Sequence, residues 1–309
     1  MAIQQRGAAL ILWVKKLTEE SSPVRYVMEA TGVYHESLAY SLEVKGFEVS
    51  IVLPNKISNY FRTLEVKTIT DKTASEAIAR FGLERKLDRW KRPAEIFRKL
   101  KQKTRERDQL VGERTLVKNQ LHAEQTEAYP GKESIARMKT RISLLNKQLT
   151  QIKEEINVLV KDNEEVKKSV ELINSIPGVG VLTAVTVLAE TNGFELIRNK
   201  RQLTSYAGLD VKEKLSGTSV KGKPKISKKG NRHLRKAMHM PALAAIRYDG
   251  RFKALFTRLV SKHGIKMKAA VAVQRKLLEM IYTVYKTNTV FDKEHSKKNI
   301  IALSIDGAY

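Results

Sequence analysis

The chain of 309 residues contains no cysteine. That excludes disulfides, thiolate metal centres and a cysteine nucleophile, and it fits a cytoplasmic setting. Histidines number only six and stand without metal-ligand spacing. Any bound metal must therefore be held by carboxylates, which points to magnesium or manganese. No apolar run approaches a membrane span: AALILWV at residues 8–14 is too short and joins an amphipathic pattern, and no cleavable signal follows it. Acid is short relative to base, with 33 Asp and Glu against 58 Lys and Arg and a formal charge of +25. An excess of that size calls for a polyanionic partner, and nucleic acid is the commonest. A hydrophobic fraction of 42% is enough for packed cores and argues against wholesale disorder.

What is present changes character along the chain. Residues 8–17 read as helix. VRYVMEATG (Val24 to Gly32) reads as a strand ending at Glu29 and a Thr-Gly turn, and EVSIVLP (Glu48 to Pro54) as a second strand after a helix at about 34–45. Further helices are expected from about Asn55 and over about 71–83. This alternation predicts a small α/β layer with a parallel sheet. From Ala94 to about Val170 the chain is charged and glycine-poor, broken at YPGK (Tyr129 to Lys132). Ile135, Met138, Ile142, Leu145, Leu149, Ile152, Ile156 and Leu159 form a seam with alternating steps of 3 and 4, a heptad repeat. Leu100, Leu110, Val117 and Leu121 match it more weakly. The segment predicts an antiparallel helical hairpin or a dimerising coiled coil. Residues from about 231 to 286 read as helix again, followed by a tail with little pattern.

Three features carry candidate chemistry. In IPGVG, Gly178 and Gly180 between helical stretches let backbone amides point outward beside a helix N-terminus, as in the hairpin of a helix-hairpin-helix phosphate-binding module; the alternative is an ordinary tight turn between two helices. The stretch KLSGTSVKGKPKISKKG (Lys214 to Gly230) mixes hydroxyls, glycines and lysines, which suits either a solvated linker or a loop gripping a phosphate backbone. From Lys212 to Lys236 ten basic residues, among them Lys221, Lys223, Lys228, Lys229, Arg232 and Arg235, stand against the single acid Glu213. Lysines placed on phosphates release counterions, so binding is expected to be steeply salt-dependent. The third feature is a pair of carboxylates, Glu29 at a strand end and Asp71 before a helix. Strand ends on one edge of an α/β sheet are where such folds place sites, and two carboxylates there could hold a divalent ion against a phosphodiester. The alternative for Asp71 is a helix N-cap.

In order, MEATGVYHE (Met28 to Glu36), TDKTASEAIARFG (Thr70 to Gly82), SIPGVG (Ser175 to Gly180), YAGLD (Tyr206 to Asp210), SGTSVKG (Ser216 to Gly222) and ISKKGNRHLRKAMHMPA (Ile226 to Ala242) resemble the DEDD-type insertion-sequence transposases of the "IS-one-ten" group. The resemblance implies a partial RuvC-like α/β domain over residues 1–93 and a coiled-coil connector over 94–170. It further implies a mainly α transposase domain with the helix-hairpin-helix motif over 171–291, then a tail over 292–309. It implies Ser216 as a nucleophile toward DNA, preferred over Ser219, which spacing alone does not separate from it. It implies Glu29 and Asp71 as acids holding magnesium or manganese. DNA, a guide RNA and further copies of the chain through the coiled coil are the implied partners. Two departures stand out. The family opens on a strand carrying an aspartate, whereas residues 1–23 contain none, so the chain is expected to lack that strand. The family's last aspartate falls on Ala74. The alternatives are a RuvC-like metal-dependent nuclease and a non-catalytic nucleic-acid binder that keeps the basic surfaces.

Overall fold

The computed structural model describes residues 9, 11–12, 23–30, 32–64, 68, 70–195, 197–212, 215–216, 220–221 and 225–292, with backbone only at 215–216 and 220–221. These fall into two compact units, residues 1–93 and 94–309.

In the first unit, β1 (Arg25–Glu29) and β2 (Glu48–Val52) pair in parallel, Arg25 opposite Glu48 and Glu29 opposite Val52. The crossover is α1 (Glu36–Val44), whose Ala39 and Leu42 are fully buried with Tyr26 and Val49. The two strands' residues are mostly apolar or β-branched, as a buried parallel pair requires. Trp90 N–H donates to Val49 O at 2.7 Å and Ser50 Oγ donates to Asp88 O at 3.1 Å, so the chain at 88–90 covers the outer side of β2. After α2 (Pro54–Phe61), with proline at its first turn, comes α3 (Asp71–Glu84). A side chain on Gly82 would stand 2.7 Å from Val27 Cγ2, so glycine is what lets α3 lie directly on β1.

The second unit opens with two long antiparallel helices, α4 (Glu95–Thr126) and α5 (Lys132–Lys161). They are stitched by Lys103 to Glu155 at 2.6 Å and by Arg114 Nη1 to Asn146 Oδ1 at 3.0 Å. Every residue of the heptad seam on α5 is at least partly buried, which makes its partner α4 of the same chain. On α4 the seam is thin: only Leu100, Thr104 and Val117 are buried. A second break, not anticipated from sequence, ends α5 at Lys161, and α6 (Glu164–Asn174) restarts from Asn163, whose Oδ1 accepts the Val166 N–H at 3.0 Å.

Then follow α7 (Val181–Thr191), α8 (Lys200–Tyr206), α9 (Arg232–Ala237), α10 (His239–Tyr248), α11 (Gly250–His263) and α12 (Lys266–Thr287). Their core includes Val185, Leu188, Leu203, Leu234, Leu277 and Ile281. Leu100, Ile152, Ile156 and Val160 belong to the same core, so the near end of the hairpin is packed into the helical body. Between α8 and α9, β3 (Val211–Lys212) pairs antiparallel with β6 (Lys225–Ile226), and nested within that pair β4 (Leu215–Ser216) pairs with β5 (Val220–Lys221). The described parts of the basic stretch are thus the paired strands of a β-arm, where the sequence suggested a loosened loop.

Candidate functional site

The arm rises from a closely tied base. Asp210 accepts the Ser227 N–H on its carbonyl at 2.8 Å, and the Ser227 hydroxyl donates to the Asp210 carboxylate. Lys228 N–H donates to Gly208 O at 3.1 Å, with Lys228 in the left-handed region at φ 52°. Asn231 N–H donates to Tyr206 O at 2.7 Å. Gly230 lies so close to this turn that a side chain there would run into Tyr206 O and stand 2.7 Å from Gly208 N. Asn231 then caps α9, its Oδ1 accepting from His233 N at 2.9 Å and Leu234 N at 3.0 Å.

Beneath the base sits a carboxylate that sequence reasoning missed. Glu190, in the last turn of α7, has a fully buried side chain. Arg105 of α4 donates to both its oxygens, at 2.7 and 2.9 Å, and Asn231 Nδ2 donates to Oε2 at 2.7 Å. Tyr206 Oη donates to the Glu190 carbonyl at 2.9 Å. Burial pushes the Glu190 carboxyl up, but the hydrogen bonds from Arg105 and Asn231 and the charges of Arg105 and Lys101 outweigh it and hold the group below its ordinary value. The only sequence signal was an acid closing the apolar run VLTAVTVLAE, which is a weak one.

The residues expected from the sequence to form a site fall in several places. Ser216 and Lys221 stand in β4 and β5, Ser216 opposite Val220, while Ser219 and Lys223 lie outside the described residues. Lys228, Lys229 and Arg232 are exposed at the arm base. Arg235 has a structural task, since its Nη1 donates to Ala207 O at 2.7 Å. The two glycines of IPGVG differ. Gly178, at φ 87°, is pressed on α10, where a side chain would meet Ala245 N at 2.7 Å and Pro241 O at 2.9 Å. Gly180 is open, with nothing near, and caps α7 without a side-chain hydrogen bond.

Glu29 closes β1 and Asp71 is the first residue of α3. Asp71 is not the N-cap: Thr70 is, through a capping box with Thr73, the Thr73 N–H donating to Thr70 Oγ1 at 3.2 Å and the Thr70 N–H to Thr73 Oγ1 at 2.9 Å. That leaves the Asp71 carboxylate in the first turn with its capping work done by a neighbour. Two hard oxygen donors suit magnesium or manganese. Asp71 stands about 16 Å along α3 from Gly82, where the helix meets β1. Among the described residues no three His, Asp or Glu side chains gather as a metal site.

Comparisons with known proteins agree on what class of protein this is. Residues 170–257 match the description "Transposase IS116/IS110/IS902 family", and residues 2–130 match the DEDD transposase domain of the same group. The chain belongs to this transposase family. Among its relatives are the "Pilin gene-inverting protein" of Moraxella bovis and that of Moraxella lacunata, each 29% identical over 94% of this chain and 88% of the relative. The "Transposase for insertion sequence element IS1111A" of Coxiella burnetii is 31% identical over 42% of this chain and 35% of its own length. These relationships support a role in DNA transposition or recombination. Among the described residues no helix is long and apolar enough to cross a membrane.

Proposed function

We propose that the chain is a DNA strand-exchange enzyme in which Ser216 is the nucleophile. The observation that carries this reading is the position of Ser216 on a lysine-rich β-arm whose base is tied by hydrogen bonds at Asp210, Gly208 and Tyr206. A flexible linker needs no such base. In the reaction the Ser216 hydroxyl oxygen bonds to phosphorus as the bond from phosphorus to the departing strand oxygen breaks. The serine proton leaves to solvent, and the departing oxygen takes one up. One phosphoester replaces another, so rejoining to a second DNA end needs no nucleotide cofactor. Lys228, Lys229 and Arg232 would hold the phosphates flanking the attacked one, and the open end of α7 at Gly180 a further one. Glu29 and Asp71 are the residues this chain would offer to magnesium or manganese, which would neutralise phosphate charge.

The family resemblance extends the proposal to target choice by a guide RNA and to a homo-oligomer assembled through the α4–α5 hairpin. The relatives named for pilin gene inversion favour exchange between two sites on DNA, which such an assembly would bring together.

The test is a covalent trap. Protein with its copurifying RNA is incubated with labelled element-junction DNA and magnesium, and a denaturation-resistant protein–DNA adduct is sought. The expected adduct disappears in Ser216→Ala and survives in Ser219→Ala and after RNA removal from a pre-formed complex. Absence of an adduct, with tight salt-sensitive DNA binding intact, overturns the nucleophile and leaves a nucleic-acid-binding relative. The replacement of the family's last aspartate by Ala74 favours that second reading.

A further inference from the structure

We infer that Glu190 is a positioning residue that locks the base of the serine arm to helix α4, so that the arm base and the adjoining end of the helical hairpin act as one rigid piece. The catalytic half of this inference rests on Ser216 as the nucleophile; the mechanical half does not.

Glu190 is fully buried and ionised, an expensive state for a carboxylate unless each oxygen is paired. Within α7 it contributes nothing to the helix that alanine would not. Both partners of its carboxylate come from elsewhere in the chain: Arg105 is 85 residues earlier and Asn231 is 41 residues later. Arg105 leaves α4 on the long hairpin, and Asn231 is the junction where the arm ends and α9 begins. Asn231 spends its whole amide at this junction. Its oxygen caps α9 and its nitrogen reaches Glu190, while its backbone N–H holds Tyr206 O. Tyr206 in turn donates its hydroxyl to the Glu190 backbone. The returning strand of the arm is therefore anchored through Asn231, and the outgoing strand through Asp210 and Ser227.

A charged, bidentate fork fixes direction as well as distance, because guanidinium and carboxylate must stay coplanar. A hydrophobic contact in the same place would hold α4 near α7 without fixing the angle at which the arm leaves. Effective nucleophilic attack tolerates little misplacement, so the angle at the base is what such a link protects. A second approach between α9 and α4 is looser: Lys236 stands 3.4 Å and His233 3.9 Å from the Asp108 carboxylate, with the lysine largely in solvent. Such an exposed pair is weak and gives little direction. The buried Glu190 fork is what fixes the base to the hairpin.

The test exploits the two ends of the Asn231 amide. Asn231→Asp keeps an oxygen to cap α9 but turns a carboxylate toward Glu190. Glu190→Gln keeps shape but removes the charge that draws Arg105. The double variant Glu190→Gln/Asn231→Asp reverses donor and acceptor and restores a hydrogen bond between the two positions. Hydrogen exchange is followed at 25 °C in peptides covering residues 208–231, together with melting temperature and the rate of Ser216-dependent adduct formation. Each single variant is expected to speed exchange at the arm base about tenfold or more and to slow adduct formation by a similar factor. The double variant regains the hydrogen bond between positions 190 and 231 but not the charged fork to Arg105, so it is expected to recover part of the loss in both readouts and to stop short of the parent, while duplex DNA binding stays within about twofold throughout. If the single variants lower the melting temperature but leave exchange over 208–231 and adduct rate unchanged, Glu190 is merely structural and the inference fails. It fails equally if the double variant is worse than either single. If the parent protein forms no Ser216 adduct, the nucleophile proposal fails, and exchange alone still decides whether Glu190 locks the arm.

Discussion

Glu29 and Asp71 in residues 1–93 and Glu190 in residues 94–309 are carboxylates at the ends of regular elements, and the fold treats Asp71 and Glu190 in opposite ways. Asp71 is exposed in the first turn of α3 beside a capping box that does not need it. Glu190 is sealed under the arm, with Arg105 and Asn231 occupying its oxygens. An acid that the fold leaves exposed, without structural work, is available for a ligand. An acid buried and fully paired is committed to holding other groups still. The position of an acid on an element does not distinguish these two cases; its partners do.

The sharpest way to break the contrast is to remove Glu190. Glu190→Ala leaves a guanidinium and an amide short of partners, and it is expected to destabilise residues 94–309 by roughly 2–4 kcal/mol, read by urea or thermal unfolding. The two glycines of IPGVG offer a parallel contrast. Gly178→Ala meets the backbone of α10 at a positive φ and should lose roughly 2 kcal/mol or more, whereas Gly180→Ala, in open space, should change stability by under about 1 kcal/mol. If the open end of α7 binds phosphate, Gly180→Ala would instead show itself in DNA affinity.

The pH dependence of stability tests Glu190 in a third way. The Glu190 carboxyl lies below its ordinary 4.5 in the folded chain, so the unfolded chain binds the proton more readily. Its contribution to stability is therefore full above about 4.5 and is lost as pH falls through the folded value. Unfolding midpoints measured down this range should fall less steeply in Glu190→Gln than in the parent. The smallest effect is expected at Asp71. Asp71→Asn should alter stability by no more than about 0.5–1 kcal/mol, the worth of a charge at a helix N-terminus. Any larger loss of strand-exchange activity in that variant would then mark the carboxylate as functional.

Much of the fold was legible in the sequence. Runs of β-branched and aromatic residues marked β1 and β2, a 3-and-4 seam marked α5, and YPGK marked the turn of the hairpin. Both strand ends and the start of α3 fall within a few residues of the expectation. The site was legible only in part. The basic stretch around Ser216 stood out by charge, but its lysines, glycines and serines carry no strand pattern. Its register as an arm is set by short ladders and by the ties at Asp210 and Asn231. Arg235 stands in the basic stretch and shares α9 with Arg232. Its guanidinium donates to Ala207 O, a tie that periodicity could not reveal.

The class of partner, the helical hairpin and the small parallel sheet all follow from the order of residues. Net charge, hydrophobic period and turn residues act locally or additively, so they can be read along the chain. Packing in three dimensions settled that Gly178 is pressed against a helix while Gly180 is open, that Thr70 rather than Asp71 does the capping, and that Glu190 holds the base of the serine arm. The first and last of these depend on groups far apart in sequence meeting within about 3 Å. At that range desolvation and hydrogen bonding turn the same residue type to opposite uses.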